Sequence, residues 1–120
     1  MIILIDKNFP VMIMKIDKFK KVEYKTFIKN MDYMNKKAIS ENCIFKLYID
    51  LYYLVEYSTT CLTDLISYLK NTSYSNIDNV KIYINTNKIG YVMKTLAFLA
   101  NTTYDKSNIE VVELSNPNKW

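Results

Sequence analysis

Phe45-Lys46-Leu47-Tyr48-Ile49-Asp50-Leu51-Tyr52-Tyr53 is the stretch that decides the fold. Phe45, Leu47, Ile49, Leu51 and Tyr53 alternate with Lys46, Tyr48, Asp50 and Tyr52. A period of two residues puts these sets on opposite faces of a strand. The second set is polar and aromatic but not charged throughout, so the strand is expected to be covered on one face and partly covered on the other. The predicted strand runs over Cys43–Tyr53, and Leu54-Val55-Glu56-Tyr57 continues it or turns away from it.

The period changes immediately downstream. Ser58-Thr59-Thr60 is a cluster of helix N-cap residues, and Cys61, Leu62, Leu65, Ile66 and Leu69 then fall on one helical face. This helix is expected to end near Asn71, followed by a polar loop over residues 71–79. Val80–Asn85 reads as the next strand. Thr86-Asn87 can cap a helix over Lys88–Ala100, with Ile89, Val92, Met93, Leu96, Leu99 and Ala100 as its buried stripe. A polar loop and a last strand, Ile109–Leu114, follow.

Upstream, Met1–Ile5 and Val11–Asp17 read as a hairpin or two adjacent strands, broken at Asn8-Phe9-Pro10, where Pro10 cannot donate to a ladder. Residues 19–41 switch to helical spacing, with Phe27, Ile28, Met31, Met34, Ala38 and Ile39 on one stripe and Glu41-Asn42 at the end. The element order is β-β-α-β-α-β-α-β. Strands alternating with helices imply right-handed crossovers, a mostly parallel or mixed central sheet, and helices on one face or unevenly split. Residues 1–114 are expected to form a single α/β domain, with 115–120 as a tail in which Trp120 docks or hangs free.

Composition limits the chemistry. The chain has 120 residues, 50% hydrophobic and 23% charged, which is ordinary globular material. No apolar run reaches the roughly 18 to 20 residues a membrane helix needs, and Met1–Asp6 lacks the basic start of a signal peptide. There is no His, Arg or Gln; every basic residue is Lys, and Tyr, Asn and Ile are abundant, as in proteins encoded by AT-rich genomes. Without His, Ser–His and Cys–His catalysis are excluded and the commonest zinc ligand is missing. Without Arg there is no bidentate fork for phosphate or guanine. Gly90 is the one glycine, so no glycine-rich phosphate loop exists. Asp50, Glu56, Asp64 and Asp78 form no motif and read as solvated acids. Cys43 and Cys61 read as buried free thiols of a reducing cytoplasm. No catalytic residue, metal site or cofactor is expected, and the chain reads as a non-enzyme.

Charge is uneven. Residues 1–37 hold nine lysines against Asp6, Asp17, Glu23 and Asp32, whereas residues 38–120 hold seven lysines against eight acids. Lys18, Lys21, Lys25, Lys29, Lys36 and Lys37 form a solvated surface or an electrostatic footprint for an acidic protein or, less readily, a nucleic acid. The tyrosines Tyr48, Tyr52, Tyr53, Tyr57, Tyr68, Tyr74, Tyr83, Tyr91 and Tyr104 pack on the sheet or present an aromatic patch.

The element order, the strand Phe45–Tyr53 with Val55-Glu56-Tyr57, the step Ser58-Thr59-Thr60-Cys61-Leu62-Thr63 and the strand–helix pair at Val80–Ala100 resemble the STAS domain of anti-sigma-factor antagonists. In that family the step typically reads Asp-Ser-Ser-Gly-Leu-Gly, with a phosphorylatable Ser or Thr at the helix N-terminus. The resemblance implies a regulatory protein–protein interaction module with Thr60 at that position, beside Thr59 and Ser58. This chain departs from the pattern at Ser58, Cys61 and Thr63, where the family has Asp, Gly and Gly. Plain N-capping is the other role open to Ser58-Thr59-Thr60. Docking is expected around the helix after Ser58 and the strand ends beside it, involving Tyr57, Asp64 and Tyr68. The alternative is a small viral or mobile-element inhibitor that binds an acidic partner through its Lys-rich first helix. A homodimer through a sheet edge is open, but no residue pattern demands one.

Overall fold

The computed structural model describes residues 2–8, 11–71, 76–85, 95 and 109–114. Their elements are β1 (Ile2–Asn8), β2 (Val11–Ile16), β3 (Lys18–Phe19), α1 (Lys21–Ser40), β4 (Phe45–Asp50), β5 (Glu56–Tyr57), α2 (Thr59–Asn71), β6 (Ile77–Asn85) and β7 (Ile109–Leu114). One five-stranded sheet has the order β1-β2-β4-β6-β7, and a second, two-stranded sheet pairs β3 with β5. β1 runs antiparallel to β2, whereas β2/β4, β4/β6 and β6/β7 are parallel. The expected α/β class and mixed, mostly parallel sheet are therefore present. Apart from Thr95, the predicted helix over Lys88–Ala100 lies outside the described residues, as does the tail 115–120.

The order explains where the helices go. The crossovers β2–α1–β4 and β4–α2–β6 each step to the adjacent strand in the same direction, and right-handed crossovers of that kind return to the same face. Met12, Met14 and Ile16 of β2, Phe45, Leu47 and Ile49 of β4, and Val80, Ile82 and Ile84 of β6 all share one buried cluster with both helices. α1 contributes Phe27, Met31, Met34 and Ala38, and α2 contributes Leu62, Leu65, Ile66 and Leu69. The alternating partners Lys15, Lys46, Tyr48, Lys81 and Tyr83 fall on the opposite face, exposed or half-buried.

Both ends of α1 have an identifiable cause. Lys20 offers no side-chain cap, so Glu23 reaches back and its Oε1 accepts the Lys20 N–H at 3.0 Å. At the other end Asn42 takes the left-handed conformation, φ 51°. Its N–H donates to the Ile39 carbonyl, and the Cys43 N–H to that of Ala38, which is the Schellman arrangement.

Five expectations are corrected, and the course left open for residues 54–57 is decided. The strand Cys43–Tyr53 is shorter, because Asp50 Oδ1 accepts the Tyr52 N–H at 3.0 Å and diverts the chain into a turn. Residues 56 and 57 leave the main sheet to pair with β3, a two-residue strand too short for any period to reveal. β6 begins at Ile77, so the loop after α2 is shorter than 71–79. Ile39 is exposed: it follows Ala38 by one residue, and 100° of helical rotation turns it to solvent. Asp50 is buried at 2% exposure, and Cys43 and Cys61 are free thiols but only half-buried.

Phe27 ties the layers together. Its ring meets Phe19 at 6.2 Å and Tyr68 at 5.5 Å, both edge-to-face, and Tyr24 at 6.1 Å. Phe27→Ala should cost about 3–5 kcal/mol in urea unfolding, whereas Ile39→Ser should stay within about 0.5 kcal/mol. A Phe27→Ala loss under about 1 kcal/mol would contradict this packing.

Candidate functional site

In open parallel sheets, loops gather beyond the carboxyl ends of the strands, and ligands and partners are commonly met there. Here β2 and β4 deliver Asp17–Lys20 and Leu51–Val55 to that end. The small sheet β3/β5 stitches the two segments together: the Val55 N–H donates to Asp17 O at 3.0 Å and the Ser58 N–H to Phe19 O at 3.1 Å. Leu51 and Leu54 anchor the loop in the core, and the Leu54 N–H donates to Leu51 O. Between and after these anchors, Tyr53 and Val55 are held outward, 55% and 72% exposed. Tyr52 stacks edge-on against Tyr53 at 5.0 Å.

The three hydroxyls at the start of α2 are not equivalent. Ser58 Oγ accepts the Cys61 N–H at 3.4 Å, and Ser58 O accepts the Leu62 N–H at 3.0 Å, so Ser58 is the N-cap. Thr59 and Thr60 are exposed, and Thr59 O accepts from Thr63 Oγ1 at 2.9 Å.

The electrostatics of this end centre on Glu56. Its carboxylate lies 3.1 Å from Lys20 Nζ and 3.6 Å from Lys18 Nζ. The hydrogen bond from Lys20, with the charges of Lys18 and Lys20, holds its carboxyl below the usual carboxylate range. Whatever this trio contributes to the fold is therefore complete at neutral pH and fades as pH falls through the lowered value.

The remaining predicted partner residues fall into separate groups. Lys21, Lys25, Lys29 and Lys36 are exposed along α1, whereas Lys37 is half-buried. Tyr57 and Tyr68 pack against the core, and Tyr68 lies in the seam with Phe27. Asp64 is exposed near Tyr24, whose hydroxyl is pushed above its ordinary range by burial first and by Asp64 second. On the opposite sheet face Tyr48 and Tyr83 stack edge-on at 6.0 Å, and burial raises Tyr83, with Tyr48, Glu110 and Asp50 adding to the effect. Tyr74, Tyr91 and Tyr104 lie outside the described residues, as does the side chain of Asp78.

Neither the pairing of Lys20 with Glu56 nor the outward display of Val55 has a periodic signature in the sequence. The broken alternation at Leu51–Val55 was the available signal. Among the described residues no group of three His, Cys, Asp or Glu side chains converges as a metal site would, and no helix is long and apolar enough to cross a membrane. Comparison of the chain with family models, curated proteins and solved structures finds no match.

Ser58→Ala should cost about 1 kcal/mol of stability, while Thr60→Ala should be nearly neutral, read from unfolding midpoints. Equal costs would contradict the cap assignment. Lys20→Ala should move the Glu56 carboxyl back up toward its ordinary range in a carbon-detected NMR titration; an unmoved titration would remove the proposed cause.

Proposed function

We propose that this chain is a non-enzymatic, STAS-like regulatory module that docks a protein partner through the carboxyl end of its parallel sheet, in a reducing cytoplasm. The observation that carries the reading is the outward display of Tyr53 and Val55 on a loop fixed by its own hydrogen bonds and by buried Leu51 and Leu54. Exposing apolar side chains costs hydration, and fixing them in place removes the option of folding them away. Such side chains are the raw material of an interface centre, where tyrosine is a favoured anchor. The polar rim would come from Lys18, Lys20 and Glu56.

Thr59 and Thr60, the first two residues of α2, supply a means of switching. Thr60 is the better acceptor for phosphate, because the Ser58 oxygen is occupied in capping. A phosphate there is tolerated by the helix N-terminus. It would add about −1.5 to −2 charges to the docking end and so alter its match to a partner.

The test is affinity capture of the partner by the full chain from its own cells, set against three variants. Tyr53→Ala/Val55→Asp should lose the captured protein, Thr60→Asp should reduce its recovery by about tenfold, and Lys81→Ala on the opposite face should retain it. Undiminished recovery with the double variant removes this docking site. Undiminished recovery with Thr60→Asp alone removes the switch.

A further inference from the structure

The outward face of α1 carries a surface that the docking end does not use. Lys21, Lys25 and Lys29 follow one another at four-residue intervals, and Lys36 lies two turns beyond Lys29. At 3.6 residues per turn these four fall within about a quarter of the helix circumference, directly away from the buried stripe of Phe27, Met31, Met34 and Ala38. Asp32 is the acid on this face. Among the lysines stand three apolar side chains that the helix pushes into solvent: Val22 at 71%, Ile39 at 61% and Tyr33 at 50% exposure. The helix is 20 residues long, so the array extends over about 30 Å.

We infer that this face of α1 docks an acidic protein surface that carries apolar side chains among its carboxylates. Charge complementarity sets the sign: four lysines against one aspartate steer toward an anionic partner. The apolar residues select its class. A phosphate backbone takes up lysines but offers nothing to Val22 and Ile39, which binding would press dry against charged oxygens. The absence of Arg also removes the side chain best suited to grip phosphate in two places. An anionic bilayer draws in a continuous apolar helix face. The continuous apolar face of α1 is spent on the sheet, and its outward apolar residues are interrupted by lysines. A protein surface that mixes Glu or Asp with Leu, Ile or Phe satisfies both halves of the pattern. This surface is independent of the reading based on Tyr53 and Val55, and either stands if the other fails.

The experiment uses the purified full chain and three probes in fluorescence titrations at two salt concentrations. They are a synthetic helical peptide with glutamates and leucines on one face, an oligothymidylate of matching charge, and phosphatidylserine-containing vesicles. The peptide should bind most tightly, and Lys25→Glu/Lys29→Glu should weaken it at least about tenfold, with most of the effect lost at high salt. Val22→Ser/Ile39→Ser should weaken the peptide by about threefold or more and leave the residual salt-sensitive oligothymidylate binding unchanged. All these positions are exposed, so thermal unfolding should remain within a few degrees of the parent, and only variants that meet that criterion are compared. Peptide binding indifferent to either double variant overturns the inference. So does tighter binding of the oligothymidylate or of the vesicles.

Discussion

The burial of one face of the parallel sheet beneath α1 and α2 is the constraint on which the rest of this molecule depends. Parallel strands pair through slanted hydrogen bonds and gain little from an exposed face, so they need a roof. The strand order β1-β2-β4-β6-β7 moves in one direction from β2 onward, and right-handed crossovers then bring both helices to the same side. Phe27 is central to that roof, because its ring joins β3 through Phe19 and α2 through Tyr68. Once these apolar surfaces are committed to each other, what α1 and the strand-end loops present to solvent is fixed as well.

The parts of this arrangement that sequence could reveal are those governed by period. Leu47 and Ile49 alternate with Lys46 and Tyr48, and the side chains divide between the faces as the spacing requires. Phe27, Met31, Met34 and Ala38 repeat at helical intervals and are buried. What period could not reveal was short or non-local. The pairing of Lys18-Phe19 with Glu56-Tyr57 involves two residues on each side, separated by the whole of α1 and β4. Asp50 looked like a solvated acid, but its register places it between Lys15 and Tyr83 on the second sheet face, where it is buried. Ile39 falls at the margin of the helical stripe by spacing, but one step of rotation beyond Ala38 turns it outward.

The candidate site follows the same division. The N-cap cluster Ser58-Thr59-Thr60 could be recognised because small hydroxyl residues ahead of an apolar helical stripe have a local cause. That Ser58 alone does the capping, leaving Thr59 and Thr60 presented to solvent, depends on how β5 delivers the chain to α2, which is a tertiary matter. The lysines of the first helix were visible as a charge excess, but their interleaving with Val22, Tyr33 and Ile39 on one face required knowing which side of α1 the sheet takes. The STAS-like proposal and the acidic-partner inference rest on these two surfaces separately, the strand-end loop for one and the helix face for the other.

Native-state hydrogen exchange on the free chain tests the central claim most directly. If the roofed parallel sheet is the cooperative unit, amides of β2, β4 and β6 and those of α1 around Phe27 exchange slowest and with a common opening free energy. The short pair β3/β5 should then open at lower cost. Rapid exchange in β4 and β6 while α1 stays protected would contradict the account, because it would show the helix standing without the sheet it is meant to cover.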